Sequence, residues 1–325
     1  MSLDLKKISQ PVEQELEEFR VVFRKAIKSK VALVELISKY ILRQKGKKIR
    51  PILVLLSAKL CGKINPRSYT AATLVEMLHT ATLIHDDVVD DAQTRRGLAS
   101  INAVWKNKIA VLMGDFMLSR GLLLALENDE CGFLKITSRA VKRMSEGELL
   151  QIQKNRKFDV DEETYFRIIS DKTASLITAC CELGAASTTD NKESVKLMSD
   201  FGENIGVAFQ LRDDLLDYIG KKKIMGKSGG SDLKEKKFTL PLIHALKNSS
   251  RKESKEIISL VKNGSYSKSK NIVLDFIKAH DGLEYTIGKT HEFCETAKSK
   301  ITSFDNSETK ETLVSFVNFI SERVN

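Results

Sequence analysis

The chain has 325 residues, 42% hydrophobic and 30% charged, with 17 Gly and only 4 Pro. At about 150 residues per domain that length suits two domains or one large helical one, and so little Gly and Pro argues against disorder, collagen-like repeats and a turn-rich all-β architecture. The 53 Lys and Arg against 43 Asp and Glu leave a net charge of +10, which is compatible with phosphate-bearing substrates, anionic membrane surfaces or nucleic acid. The N-terminal MSLDLKKISQPVEQELEEF lacks the apolar run of a signal peptide. No stretch approaches about 18 uninterrupted apolar residues, the length that crosses a membrane, so the expectation is a soluble, cytoplasmic protein. The five cysteines, Cys61, Cys131, Cys180, Cys181 and Cys294, include an adjacent pair and no CxxC spacing. That pattern indicates buried free thiols rather than a zinc site or a disulfide framework.

Apolar residues recur at helical spacing almost throughout and predict helices over about 11–43, 66–91, 101–127, 131–154, 161–187 and 191–219, with shorter ones to the end. Pro51 marks a further helix start, because a first-turn residue does not need its N–H. Leu74, Leu78, Ala81 and His85 form one stripe, and Leu313, Phe316, Val317 and Ile320 another. No convincing strand alternation interrupts this pattern, so the expected fold is all-α. The segment from Gly220 to Lys237 departs from it, with seven Lys and four Gly in eighteen residues, and by composition reads as a solvated loop.

Two acidic motifs stand out. Asp86, Asp87, Asp90 and Asp91 lie in LIHDDVVDDA, and Asp213, Asp214 and Asp217 in QLRDDLLDYIG, each near the end of an apolar helical stretch. On a helix Asp86 meets Asp90 and Asp213 meets Asp217, and such like-charge pairs cost about 0.2–0.5 kcal/mol each. They also sit at the negative end of the helix dipole. A cation between the carboxylates removes both penalties. Oxygen donors without nearby Cys point to a hard ion such as Mg²⁺, which binds through one or two carboxylates plus substrate phosphates. One DDxxD alone reads as a solvated acidic helix end. Two copies, the first followed by Arg95 and Arg96 and the second by Lys227 and Lys237, point to a diphosphate site. QKGKKIRP adds Lys47, Lys48 and Arg50 at a helix start, where backbone N–H groups favour anions, although a charged surface turn is the better explanation of that cluster taken alone. His79 and His85 diverge by about 120° on their helix, and neither ring by itself indicates a ligand.

In their order along the chain these residues resemble the trans-type isoprenyl diphosphate synthases (polyprenyl synthetases). The resemblance runs from about Lys45 to Leu242 through GKKIRP, His79–Asp90, RRG, GDFMLSRG at Gly114–Gly121, GELLQ at Gly147–Gln151, DKTASL at Asp171–Leu176, FQLRDDLLDY and GKSGGSDLKEKKFTLPLI. It implies one domain over residues 1–325, folded as a helical bundle around a deep central cavity, and a homodimer. Lys47, Arg50, His79 and Arg96 match the family's isopentenyl diphosphate binders. Asp86, Asp87, Asp90, Asp213, Asp214 and Asp217 match its Mg²⁺ ligands around the allylic diphosphate. Arg95, Lys172, Lys227 and Lys237 match cations that contact that diphosphate, while Thr173 and Gln210 match polar groups facing the developing allylic cation. Asp115, Glu148 and Gln151 hold supporting motif positions. The chain departs from the family at Lys45-Gly46-Lys47-Lys48, where Gly-Gly-Lys-Arg is usual; Lys48 keeps the charge without the bidentate fork of Arg. Lys236 stands where Gly is common, and Ala99 where Pro is frequent.

The resemblance implies condensation of an allylic diphosphate, such as farnesyl or geranylgeranyl diphosphate, with successive isopentenyl diphosphates. Ala81 and Thr82, five and four residues before Asp86, are small where a bulky aromatic stops growth in short-chain members, so a hexaprenyl or longer product is expected, centred on octaprenyl. The DDVVD gap, Asn102 and GDFMLSRG also resemble long-chain synthases. Release of so greasy a product favours a membrane surface, where the basic excess would aid docking. A short-chain synthase, a class I terpene cyclase and a non-catalytic subunit of a heteromeric synthase are the alternatives. Nucleic acid is not expected, because the basic residues adjoin acidic motifs instead of forming an all-basic stripe.

Overall fold

The computed structural model describes residues 5–44, 46–95, 97–157, 160–219, 237–263 and 266–322. In chain order its helices are α1 (Leu5–Ser9), α2 (Glu13–Ala26), α3 (Ala32–Arg43), α4 (Ile49–Cys61), α5 (Pro66–Val89), α6 (Ile101–Glu127), α7 (Cys131–Lys157), α8 (Glu162–Ile169), α9 (Ser175–Ala186) and α10 (Lys192–Ile219). Then follow α11 (Leu240–Lys247), α12 (Arg251–Asn263), α13 (Tyr266–Ala279), α14 (Gly282–Lys300) and α15 (Glu308–Glu322). The all-α expectation is met; the strands among the described residues are two-residue segments, Thr94–Arg95 and Leu98–Ala99, paired as an antiparallel hairpin.

Two predicted helices depart from a single continuous α-helix. The stretch 11–43 divides into α2 and α3, because Ser29 Oγ accepts the Val31 N–H at 3.1 Å and closes a local turn. The stretch 161–187 divides into α8 and α9 around one turn of π-helix, Ser170–Ala174. A third, α6, departs from helical geometry at Lys106, whose φ of 73° lies in the left-handed region and bends the helix after its first turn.

Sequence chooses the central helices. PILVLLSA, Pro51–Ala58 of α4, is apolar on all sides and entirely buried, as a core helix must be. It packs against α9, which is buried from Ser175 to Cys181. α5 begins at a capping box, with Asn65 Oδ1 accepting the Arg67 N–H at 2.9 Å and Ser68 Oγ reaching back to the Asn65 N–H. One apolar core joins α2, α4, α5, α6, α9 and α15, and a second joins α8 and the distal half of α10 to α11–α14. Cys180, Cys181 and Cys294 are buried free thiols as expected, whereas Cys131 is exposed. Burial pushes the Cys61 thiol up to about 12.

By length and composition Ile101–Glu127 is apolar enough to cross a membrane, with a third of its most apolar window buried. Asp115 and Arg120 interrupt its apolar run, so a search for unbroken runs passes over it. Leu112, Leu122, Leu123 and Leu126 of this helix are all exposed, leaving one face without a partner among the described residues of the single chain.

Candidate active site

The first acidic motif closes α5, with Asp90 as its C-cap, its N–H donating to the Asp86 carbonyl at 2.8 Å. Asp86 and Asp90 each keep a solvent-facing side, although neighbouring groups partly enclose the Asp86 carboxylate. Asp87 points the other way: it is 3% exposed and accepts from Arg95 Nε at 2.8 Å and Nη2 at 2.5 Å. The chain reversal behind that contact is anchored by Ser100 Oγ on the Ala92 carbonyl at 2.5 Å and by Tyr40, whose hydroxyl donates to the Ala99 carbonyl at 2.7 Å. Asp86 is held above the usual carboxylate range, first by desolvation and then by repulsion from Asp90 and Glu148, with Lys172 and Arg95 opposing. Carboxylates from two helices thus meet beside two cations. Oxygen donors of this kind suit a hard divalent cation that completes its coordination with substrate oxygens; among the described residues no group of three or more Asp, Glu, His or Cys side chains is gathered closely enough to hold one by itself.

The second acidic motif lies on the last turns of α10. Asp214 is 4% exposed and accepts from the Tyr165 hydroxyl at 2.6 Å and from Gln210 Nε2 at 2.7 Å. Gln210 Oε1 in turn accepts from Thr173 at 2.9 Å. Asp213 and Asp217 are partly exposed, and Arg212 Nη2 lies 3.4 Å from Asp213. Lys172 donates to Gln151 at 2.7 Å and pairs with Glu148. A cavity of about 160 Å³ is lined by Gln151, Tyr165, Lys172, Thr173, Gln210, Asp214 and Lys237, among others. Lys172 and Glu148 link that cavity to Asp86 on α5. Residues scattered over more than 150 positions therefore share one site.

A second basic group forms at the start of α4. Lys48, at φ 49°, is the N-cap residue and reaches the buried Glu76 of α5 at 2.6 Å. Arg50 Nη1 lies 2.9 Å from Nε2 of His79, which is 7% exposed. Lys47 is exposed beside them. Arg96 and Lys227 lie outside the described residues. His85 turns to α6, 3.5 Å from Asp115. Of the two small residues before Asp86, Ala81 is fully enclosed in the core and Thr82 partly exposed, with its hydroxyl on the His79 carbonyl at 2.9 Å.

Sequence reasoning missed Tyr165, which lies in no motif; only its aromatic ring in an apolar stripe marks it, and that pattern reads as core. It also treated Asp87 and Asp214 as equal to the other aspartates, whereas both are buried and already hydrogen-bonded by neighbours. Asp87 is bonded to Arg95, and Asp214 to Tyr165 and Gln210.

The polyprenyl synthetase family model matches residues 31–276. The chain is 36% identical to an all-trans-nonaprenyl-diphosphate synthase (geranyl-diphosphate specific) from Rhodobacter capsulatus over 100% of both chains. It is 33% identical to an octaprenyl diphosphate synthase from Escherichia coli (strain K12) over 99% of both. The crystal structure of a polyprenyl synthase from Caulobacter crescentus CB15, complexed with calcium and isoprenyl diphosphate, superposes with a TM-score of 0.89 at 31% identity, covering 99% of each chain. With a family match over most of its length and an acidic, cation-flanked site in the matching bundle, the chain belongs to the polyprenyl synthetase family of trans-prenyltransferases.

Proposed function

We propose that this protein condenses an allylic diphosphate, farnesyl or geranylgeranyl, with successive isopentenyl diphosphates to give an all-trans polyprenyl diphosphate of hexaprenyl length or longer. The observation that carries this reading is the pair of basic groups: Lys172 and Lys237 at the cavity beside Asp214 of the second acidic motif, and Lys47 and Arg50 at the start of α4 with His79 of α5. Two anionic heads need two such groups. A cyclase, which takes one diphosphate, has no use for the second.

Asp86, Asp90, Asp213 and Asp217 would hold Mg²⁺, whose bound form supplies Lewis-acid stabilisation of the departing diphosphate. The chain's own residues act around that centre. Lys172 and Lys237 face the oxygens on which charge develops as the carbon–oxygen bond breaks, the place where fixed charges lower the barrier. Thr173 and Gln210, tied to each other and to Asp214, direct their oxygen dipoles toward the allylic cation. Isopentenyl diphosphate, held at Lys47 and Arg50, attacks through its double bond. Loss of a proton, with the released pyrophosphate as the candidate base, completes one cycle.

The test is incubation with labelled isopentenyl diphosphate and farnesyl diphosphate, with and without EDTA, followed by product chromatography. Label should enter a long product only when divalent metal is present; an unlabelled cyclic product, or undiminished turnover in EDTA, would overturn the reading. Lys47→Ala should raise the KM for isopentenyl diphosphate about 10-fold, the worth of one charged hydrogen bond, and leave the allylic KM within about 2-fold. Lys47 is exposed, so its packing role is small, and equal effects on both substrates would contradict the two-site arrangement.

The exposed leucines of α6 support a homodimer. Burial of such a face is worth roughly 25 cal/mol per Å² of apolar surface. Sedimentation should give twice the chain mass, and Leu112→Glu with Leu123→Glu should shift it to the monomer; a wild-type monomer would refute this assembly.

A further inference from the structure

Three levels of contact surround the π turn between α8 and α9. At the upper level Lys172 donates to Gln151 of α7 and Thr173 to Gln210 of α10, at 2.7 and 2.9 Å. One level down, the two helices present glycines. A Cβ at Gly147 would lie 2.7 Å from the Lys172 nitrogen, and one at Gly206 would lie 2.6 Å from Ala174 Cα. Both are too close for any side chain, so α7 and α10 grip the backbone of the turn directly. At the lowest level Arg143 of α7 spans the gap. Its Nε donates to Asp171 at 2.7 Å, its Nη1 and Nη2 to both oxygens of Glu203 at 3.0 and 2.9 Å, and Nη2 also to Ser170 at 2.6 Å. Ser170 and Thr178 add their hydroxyls to Glu203, the latter at 2.7 Å.

We infer that the Arg143–Glu203 pair is a positioning device for Lys172 and Thr173, pinning the π turn so that these two side chains stand in register with the allylic diphosphate. The inference rests on the allylic-site assignment proposed above. Neither Arg143 nor Glu203 lines the cavity, which lies about two helical turns further along both helices. A π turn is a departure from the commoner α geometry and marks functional positions. It persists here because bonds from three elements over-determine it. Although burial raises the Glu203 pKa, hydrogen bonds from Arg143, Ser170 and Thr178 outweigh it and keep the carboxylate ionised below its usual range. Both partners therefore stay charged, and the bidentate fork fixes direction as well as distance. A displacement of about 1 Å in a group this close to the chemistry costs up to roughly 10²-fold.

The test is steady-state kinetics with both substrates for Glu203→Gln, Arg143→Lys and Lys172→Ala, alongside thermal melting. Each clamp variant should lower kcat/KM for the allylic diphosphate about 10-fold or more while the KM for isopentenyl diphosphate stays within about 2-fold. Added to Lys172→Ala with Thr173→Ala, Glu203→Gln should cost less than about 2-fold further, because the groups it positions are gone. A merely structural role would move both substrates' constants together and remain additive, and that result would overturn the inference. If Glu203→Gln melts far below the wild type, Ser170→Ala loosens the same carboxylate and is read in the same way. Loss of allylic efficiency in Lys172→Ala with normal kinetics in folded Glu203→Gln refutes the clamp alone. Normal kinetics in Lys172→Ala refutes the allylic assignment and the clamp with it.

Discussion

Asp86→Ala and Asp213→Ala should each lower turnover at least ~10³-fold, the equivalent of ~4 kcal/mol of lost transition-state stabilisation. The two lie on different helices, so each change removes one side of the proposed metal centre. Neither should unfold the protein. Asp86 is exposed and Asp213 partly so, and Ala is the better helix former. Circular dichroism checks the fold, and metal titration by calorimetry gives a readout independent of turnover. Near-normal turnover in either variant would remove that carboxylate from the centre. Asp87→Ala should behave differently, because it strands Arg95 without its buried partner and so costs stability as well as rate.

Ala81→Phe should shorten the product to about geranylgeranyl length. A tail growing from the diphosphate at Asp86 runs beside α5, and Ala81 lies a little over one turn before it. The new ring would stand across that path and leave the aspartates untouched. Ala81 is fully enclosed, so the ring enters packed surroundings, and about 1–3 kcal/mol of overpacking is expected as well. Melting curves and product chromatography together separate the two effects. An unchanged product from a folded variant would show that the tail runs elsewhere, for instance past the partly exposed Thr82. A wild-type product that stops at geranylgeranyl would refute the long-chain reading itself.

Tyr165 shows why part of the site stayed hidden. Its hydroxyl meets Asp214 from 49 residues away, and no local pattern distinguishes it from a core aromatic. Asp87 makes the same point inversely. It sits next to Asp86 in the motif yet faces inward, because successive helix positions turn by about 100° and Arg95 folds back to meet it.

The sequence by itself determined the helical class, the course of α5, α6, α7 and α10 to within a few residues, and the two aspartate motifs. Those features follow from 3.6-residue periodicity and short-range spacing, which a single helix carries without its neighbours. A local Ser29–Val31 turn set the break between α2 and α3, whereas tertiary structure decided the π turn at Ser170–Ala174, the burial of Asp214 against Tyr165 and the convergence of Lys172, Thr173, Gln210 and Lys237 on one cavity. The latter depend on how closely helices distant in sequence approach one another. At the π turn, Gly147 and Gly206 let two backbones close on a third while Arg143 and Glu203 hold it there, and a geometry costly in an isolated helix becomes the stable one.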